Sequence, residues 1–258
     1  MSQLQNSDGK YVYCVTRSSE PRQFATLGIG ERGDIVHMVH FDTLAAVVSD
    51  SPIIEYDQSR RNMMAHTLVQ EEVMQELIIL PVRFGTVAPV PSEEAIRERV
   101  LKRRFGELHG LLQHMEGRVE LGLKAFWYEG VIFQEIVAEN LSIQRLRDSL
   151  NGRRPEETYY ERIRLGEMVE KAMDNKRVED SERILDRLRP LVHRTRKNDI
   201  ITDRMVLNSA FLLDAPAQPE FDAAVQSLDD EMGKRLIFKY VGPVPPYNFV
   251  ELVVTWEE

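Results

Sequence analysis

The spacing of hydrophobic and polar positions changes several times along the chain, and each change marks an element. Residues 11–16 (YVYCVT) have the aromatic and β-branched composition of a short strand, after a polar tail over 1–10. A polar, glycine-bearing stretch follows from Arg17 to Gly33. IVHMVH (35–40) alternates, and LAAVVSD (44–50) supplies a second strand about one turn later, ended by Pro52. From Gln58 to Ile78 the period becomes helical, with Met63, His66, Val69, Val73, Glu76 and Leu77 near one face. Pro81 stops that helix, so 80–87 reads as extended. Ser92, with Glu94 and Ala95 behind it, opens a helix to about Met115. Gly117 closes it, and 119–128 is a long strand.

In the second half, Ile132, Ile136, Ile143, Leu146 and Leu150 recur at helical gaps, and Asn151-Gly152 is a C-cap pair. Pro155 opens a further helical region to about Arg189, with a break expected near Asp174-Asn175, and Pro190 ends it. Strands are predicted at 191–197, 205–213, 235–241 and 248–256, with an acidic helix at 217–232. The order β–β–β–α–β–α–β, then α–α–β–β–α–β–β, predicts an α+β chain. A length of 258 residues at ~150 per domain suits two domains. The expected division is 1–130, a modified ferredoxin-like sheet with helices on one face, and 131–258, a helical region with a second small sheet that could also be ferredoxin-like.

Charge and chemistry narrow the function. With 33 basic and 42 acidic residues the net charge is −9, which repels phosphate backbones, so no nucleic-acid partner is expected. A single cysteine, Cys14, allows no internal disulfide and no cysteine-rich metal site. No apolar run approaches a membrane span, and MSQLQNSDGK lacks a signal core, so no lipid membrane is expected and the cytoplasm is the default compartment. Gly28-Ile29-Gly30-Glu31-Arg32-Gly33 matches G-x-G-x-x-G, but a strand follows it where a nucleotide fold needs a helix, so it reads as a turn. His37 and His40 point to opposite faces of a strand, and His109 and His114 are poorly phased on a helix. No G-x-S-x-G, S-x-x-K or H-E-x-x-H occurs. No catalytic residue, metal or cofactor is therefore expected. Residues 214–231 hold six acids and no base, and internal pairing with the basic end of the 153–197 stretch is the simpler expectation.

Two segments ask for more. Leu80-Pro81-Val82-Arg83-Phe84-Gly85-Thr86 sets an arginine in an otherwise apolar strand, where it must meet acceptors or lie under a partner. Gly242-Pro243-Val244-Pro245-Pro246-Tyr247-Asn248-Phe249-Val250 fixes a polyproline-like turn with aromatic residues beside it. Together with Tyr11-Val12-Tyr13, His66 and Val119-Glu120-Leu121-Gly122, these segments resemble the gas vesicle protein F/L family over almost the whole chain. Val244 stands where that pattern has an aromatic, usually tryptophan.

The resemblance implies a non-enzymatic accessory or minor structural protein of gas vesicle formation, located at those buoyancy organelles. Its implied partners are the main hydrophobic shell protein (GvpA-type) and other vesicle accessory proteins. A shell subunit exposes apolar surface and strand edges before assembly, and residues 1–130 are the expected contact. The implied partner-binding or interdomain residues are His66, Arg83, Phe84, Pro245, Pro246, Tyr247 and Phe249. The competing class is a small-molecule-binding or enzymatic ferredoxin-like protein, since a fold does not fix function. An RNA-binding sheet would need exposed aromatics in a basic setting, which the charge balance opposes.

Overall fold

A computed structural model of the chain describes residues 8–250 and 252–256. It is α+β and divides into two compact units, Met1–Glu120 with Pro243–Glu258, and Leu121–Gly242. This differs from a single cut near 130: the proline-rich C-terminal segment belongs with the first unit, because its hydrogen bonds are made there. Most of the expected polar tail (1–7) lies outside the described residues, and Gly9 and Lys10 already belong to a strand.

The first unit is built on β1 (Gly9–Arg17), β2 (Gln23–Leu27), β3 (Ile35–Phe41) and β4 (Leu44–Ser51). After α1 (Arg60–Met74) come the short β5 (Ile79–Pro81) and β6 (Val87–Ala88). The sheet runs β2-β3-β4-β1-β5, and β6 also pairs with β1. β1 lies antiparallel to β4, β5 and β6, with a register shift between Val12 and Cys14. Positions 11–16 of β1 and 44–49 of β4 are buried without alternation, which requires cover on both faces.

That cover comes from two sides. Val69 and Val73 of α1 join Tyr11, Tyr13, Ala45 and Val47 in one core. The buried Ile96, Val100 and Leu101 belong to a π-helical segment, Ile96–Lys102, which packs on β3 and β4. The expectation of helices on one face is thus corrected: a sheet whose central strands are apolar at every position needs two layers. The helix expected from Ser92 to Met115 is also divided, into α2 (Ser92–Ala95), the π segment and α3 (Phe105–Met115). At the junction the Arg103 N–H reaches back five residues to the Glu98 carbonyl (3.2 Å).

β7 (Arg118–Trp127) leads into the second unit, where α4 (Glu129–Glu139), α5 (Leu141–Ser149) and α6 (Tyr159–Leu188) follow. β8 (Arg194–Lys197), β9 (Met205–Asp214), α7 (Gln218–Met232) and β10 (Leu236–Val244) complete a sheet ordered β10-β7-β9-β8. Gly122 permits the close passage of β10, since a Cβ there would lie 3.0 Å from Val241 Cγ2. α6 is continuous through Asp174-Asn175, where Asp174 pairs with Arg177 three residues on.

The Trp127 indole N–H donates to the buried Asp180 carboxylate (2.7 Å), and Arg235 bridges Asp180 and Glu135. The acidic stretch pairs within the unit: Glu231 of α7 meets Arg183 and Arg187 of α6, and Asp214 at the end of β9 meets His193 (2.8 Å). The strand predicted at 248–256 does not form. Among the described residues it contributes one isolated parallel bridge, Val82 to Leu252.

Candidate functional site

In the first unit α1, β1, the turn after β5 and the proline-rich segment converge on one buried polar network. α1 starts at Ser59, whose side chain accepts from the Asn62 N–H, and it buries His66, Val69, Gln70 and Val73. This stripe differs from the expected one: Met63 is exposed, Glu76 lies outside in an ion pair with Arg22 (2.6 Å), and Gln70 is inside. His66 is 3 % exposed. Its Nδ1 lies 3.0 Å from the Tyr11 hydroxyl, and its Nε2 lies 2.9 Å from Gln70 Nε2.

The tautomer follows from the neighbours. Gln70 Nε2 donates one hydrogen to the Tyr13 carbonyl (2.6 Å), while its Oε1 accepts from the Tyr247 hydroxyl. The second amide hydrogen therefore points at His66 Nε2, which must accept, leaving the proton on Nδ1. A charged imidazolium would set an N–H against the amide N–H. Burial disfavours that charge as well and holds the His66 pKa down at about 4.

The surrounding tyrosines are neutral and hydrogen-bonded. The Tyr11 hydroxyl accepts from the Gly85 N–H (2.9 Å), and the Tyr13 hydroxyl accepts from the Ile29 N–H (2.8 Å) and meets Ser49 Oγ (2.9 Å). Burial raises the pKa of Tyr11, and that of Tyr13 to about 12. Phe84 closes the cluster edge-on to His66 at 5.6 Å and to Tyr11 at 6.3 Å. Gly28 of the G-x-G-x-x-G run is used for close approach, as a Cβ there would lie 2.4 Å from Ser49 Oγ. The run is the β2–β3 turn, and a strand follows it as expected.

The proline-rich segment is bound at two points. Tyr247 keeps its ring partly exposed while its hydroxyl reaches Gln70, and burial raises its pKa to about 12. One residue on, the Asn248 backbone N–H (3.0 Å) and Nδ2 (2.6 Å) both donate to the carboxylate of Glu120, itself 2 % exposed. Pro245 and Pro246 are buried, and Phe249 is partly buried. The Tyr247, Phe249 and Val250 N–H groups go to the carbonyls of Pro245 and Pro246, which coils this stretch where a strand was predicted.

Arg83 stands apart. The 80–87 segment is two short strands around a turn, with Gly85 at φ 82° and Thr86 Oγ1 donating to the Arg83 carbonyl (2.7 Å). The Arg83 side chain is exposed and makes no hydrogen bond or ion pair with another described residue. Of the expected site residues, the structure brings together His66, Phe84, Pro245, Pro246 and Tyr247 and leaves Arg83 outside.

Beside the network lies a cavity of about 460 Å³, lined by Met74, Leu77, Ile78, Met115, Val119 and Val244, with Pro243 and Pro246 on one wall. Sequence reasoning missed this cavity and Gln70, and placed Glu120 in a family-like segment without giving it a site role. The signal for Gln70 was present, a polar residue four after His66 on the buried face. Cys14 is fully buried and burial raises its pKa, and no cluster of three His, Cys, Asp or Glu able to hold a metal occurs among the described residues. No helix among them is long and apolar enough to cross a membrane.

The features define a two-unit α+β chain whose first unit sets a buried hydrogen-bonded network beside an open, mostly apolar cavity walled by prolines. The profile of the family described as "Gas vesicle synthesis protein GvpL/GvpF" matches residues 9–251, and the chain belongs to that family. Gas vesicle protein F of a Streptomyces species is 30% identical over 93% of this chain and 99% of its own length. Gas vesicle protein F of a Nostoc species is 26% identical over 95% and 99%. The crystal structure of GvpF from an Anabaena species superposes with a TM-score of 0.80 at 26% identity, covering 95% of this chain and 99% of that one.

Proposed function

We propose that this chain is a non-enzymatic accessory protein of gas vesicle assembly that sits at the vesicle and binds the main shell protein (GvpA-type) through its first unit. Family membership supports the role in assembly. The single observation that carries the contact is the apolar cavity walled by Pro243 and Pro246. An unassembled shell subunit has apolar surface to cover, and a cavity rimmed by Met74, Leu77 and Met115 can accept apolar side chains of varied shape.

Strand addition at β2 is the weaker route. The Ala25 and Thr26 backbone N–H groups there already donate to the Glu72 carboxylate (2.8 Å each), so that edge is blunted. We read the first unit as a modified ferredoxin-like domain and the second as recruiting other vesicle accessory proteins.

The test is co-expression with the main gas vesicle shell protein and retrieval through an affinity tag. The intact chain should retrieve it at moderate salt. Ile78→Glu, at the cavity, should lose retrieval while thermal unfolding stays within a few degrees. Arg83→Ala should leave the melting temperature unchanged, since its side chain holds nothing in the fold, and loss of retrieval would place Arg83 at the contact. Full retrieval by Ile78→Glu would sink the cavity as the contact. A small-molecule-induced rise in melting temperature, with no retrieval, would favour a ligand-binding protein instead, since the cavity volume falls in the range of ligand pockets.

A further inference from the structure

The second unit has a groove that none of its own elements fills. It is about 430 Å³, between α4, α6 and the 198–204 loop. α6 contributes Gly166, Val169, Glu170, Met173, Asp174 and Arg177, spaced as one continuous helical stripe. Phe133 of α4 stands over one side, 41 % exposed, and Ile200 and Ile201 of the loop over another, 43 % and 69 % exposed. Gly166 sits in the helix interior, where glycine is unfavourable, and a Cβ there would meet nothing within 4 Å. The space over it is open to an approaching backbone.

The charges of the groove have one sign left over. Arg177 is fully engaged: it pairs with Asp174, donates to the Met205 carbonyl (3.0 Å) and the Asp203 carbonyl (2.9 Å), and lies over the Trp127 ring at 5.6 Å. It serves the fold and has little left for a ligand. The Glu170 and Asp203 carboxylates, by contrast, form no ion pair with another described residue. Exposed isoleucines and a phenylalanine around a mixed floor of Val169, Met173 and charged α6 side chains, flanked by two carboxylates without an ion pair among the described residues, complement one kind of surface.

We propose that this groove docks a basic amphipathic helix of a partner protein, its apolar side chains against Phe133, Val169 and Ile201 and its lysines or arginines on Glu170 and Asp203. Recognition of this kind reads apolar anchors at helical spacing and takes its specificity from flanking charge. The proposal stands apart from shell binding by the first unit, because shell retrieval does not enter its readout.

The probe is a fluorescent helical peptide of about 14 residues, long enough to run along the α6 stripe, with leucines at helical spacing and lysines elsewhere. A matched peptide carries glutamate for lysine. The full chain should bind the lysine peptide and not the glutamate one. Glu170→Lys with Asp203→Lys should weaken binding by about tenfold or more, as losing partly desolvated charge pairs does. Ile201→Asp should weaken it similarly. Glu220→Lys with Asp229→Lys makes the same charge change on α7, which does not line the groove, and should leave affinity nearly intact.

Equal weakening by that second pair would overturn the proposal, because the attraction would then be that of the acidic chain at large. Equal binding of both peptides would overturn it too. So would a concentration-dependent dimer that Ile201→Asp dissolves, since a second copy would then be the occupant. The charge variants lie on exposed positions, so they report even if Ile201→Asp fails to fold.

Discussion

Acidification should loosen the first unit through His66, and the size of the effect follows from its surroundings. In the unfolded chain the ring titrates near 6.5, and in the fold burial holds it at about 4. The folded value is the lower, so the unfolded state binds the extra proton between them. The stabilising contribution is complete above pH 6.5 and is lost as pH falls toward the folded value. At about 1.36 kcal/mol per pH unit, the loss is roughly 2 kcal/mol by pH 5 and about 3 kcal/mol by pH 4.

Carboxylates titrate in part of the same range, so the comparison is wild type against His66→Gln, which keeps hydrogen-bonding capacity but does not titrate. Urea unfolding followed by the near-ultraviolet signal of the buried tyrosines should show wild type losing this much more stability than the variant between pH 7 and pH 4. An NMR titration of the folded chain gives the direct reading. A His66 ring midpoint near 6.5, or identical pH slopes for the two proteins, would refute the assignment of a neutral, doubly bonded imidazole.

Four further outcomes follow from single contacts. Glu120→Ala leaves the Asn248 N–H and amide without their charged acceptor; hydrogen bonds to a charged group are worth about 1.5–3 kcal/mol, and the urea midpoint should fall accordingly, with earlier proteolysis of the C-terminal segment. Tyr247→Phe deprives the buried Gln70 Oε1 of its donor and should cost about 1 kcal/mol by the same assay. Val244→Trp should fill part of the cavity, raising stability by about 0.5–2 kcal/mol while reducing retrieval of the shell protein, and a fall in stability would show that the wall cannot take the ring. Asp180→Ala strands the Arg235 guanidinium and the Trp127 N–H in a largely buried site and should cost about 3–5 kcal/mol, measured by thermal unfolding.

What could be seen in the sequence was whatever one element settles alone. β1 and β4 announce themselves by composition, and β3, α1, β7 and α7 by period, because each meets the core through its own side chains. β2 could not be seen. Of its five residues only Phe24 is buried, and its amides are satisfied by Glu72, whose place beside them depends on the packing of α1. The opposite error came at 248–256, where the apolar pattern of a strand is real but the prolines before it take up the N–H groups a ladder would need. Helices on one face were expected because the β1 and β4 patterns were read as strands only; their lack of alternation was the sign of two covered faces. The sequence leaves Arg83 either paired with acceptors or at a coverable surface; Gly85 turns the chain there and the side chain is exposed.

The candidate site shows why the resemblance rests on scattered residues. His66 and Gln70 are one helical turn apart, but Gln70 is completed by Tyr247, 177 positions away, and Glu120 by Asn248, 128 positions away. The Gln70 bond to Tyr247 and the Glu120 bonds to Asn248 form only if the C-terminal segment returns to the first unit, and a buried polar group left unpaired costs about 1–3 kcal/mol. The Tyr247 and Asn248 contacts are adjacent, so they hold one short stretch of chain against two elements and fix the position of the prolines beside it. Pro243 and Pro246, so fixed, form a wall of the cavity. Polar residues that look like candidate chemistry are thus used to place an apolar surface.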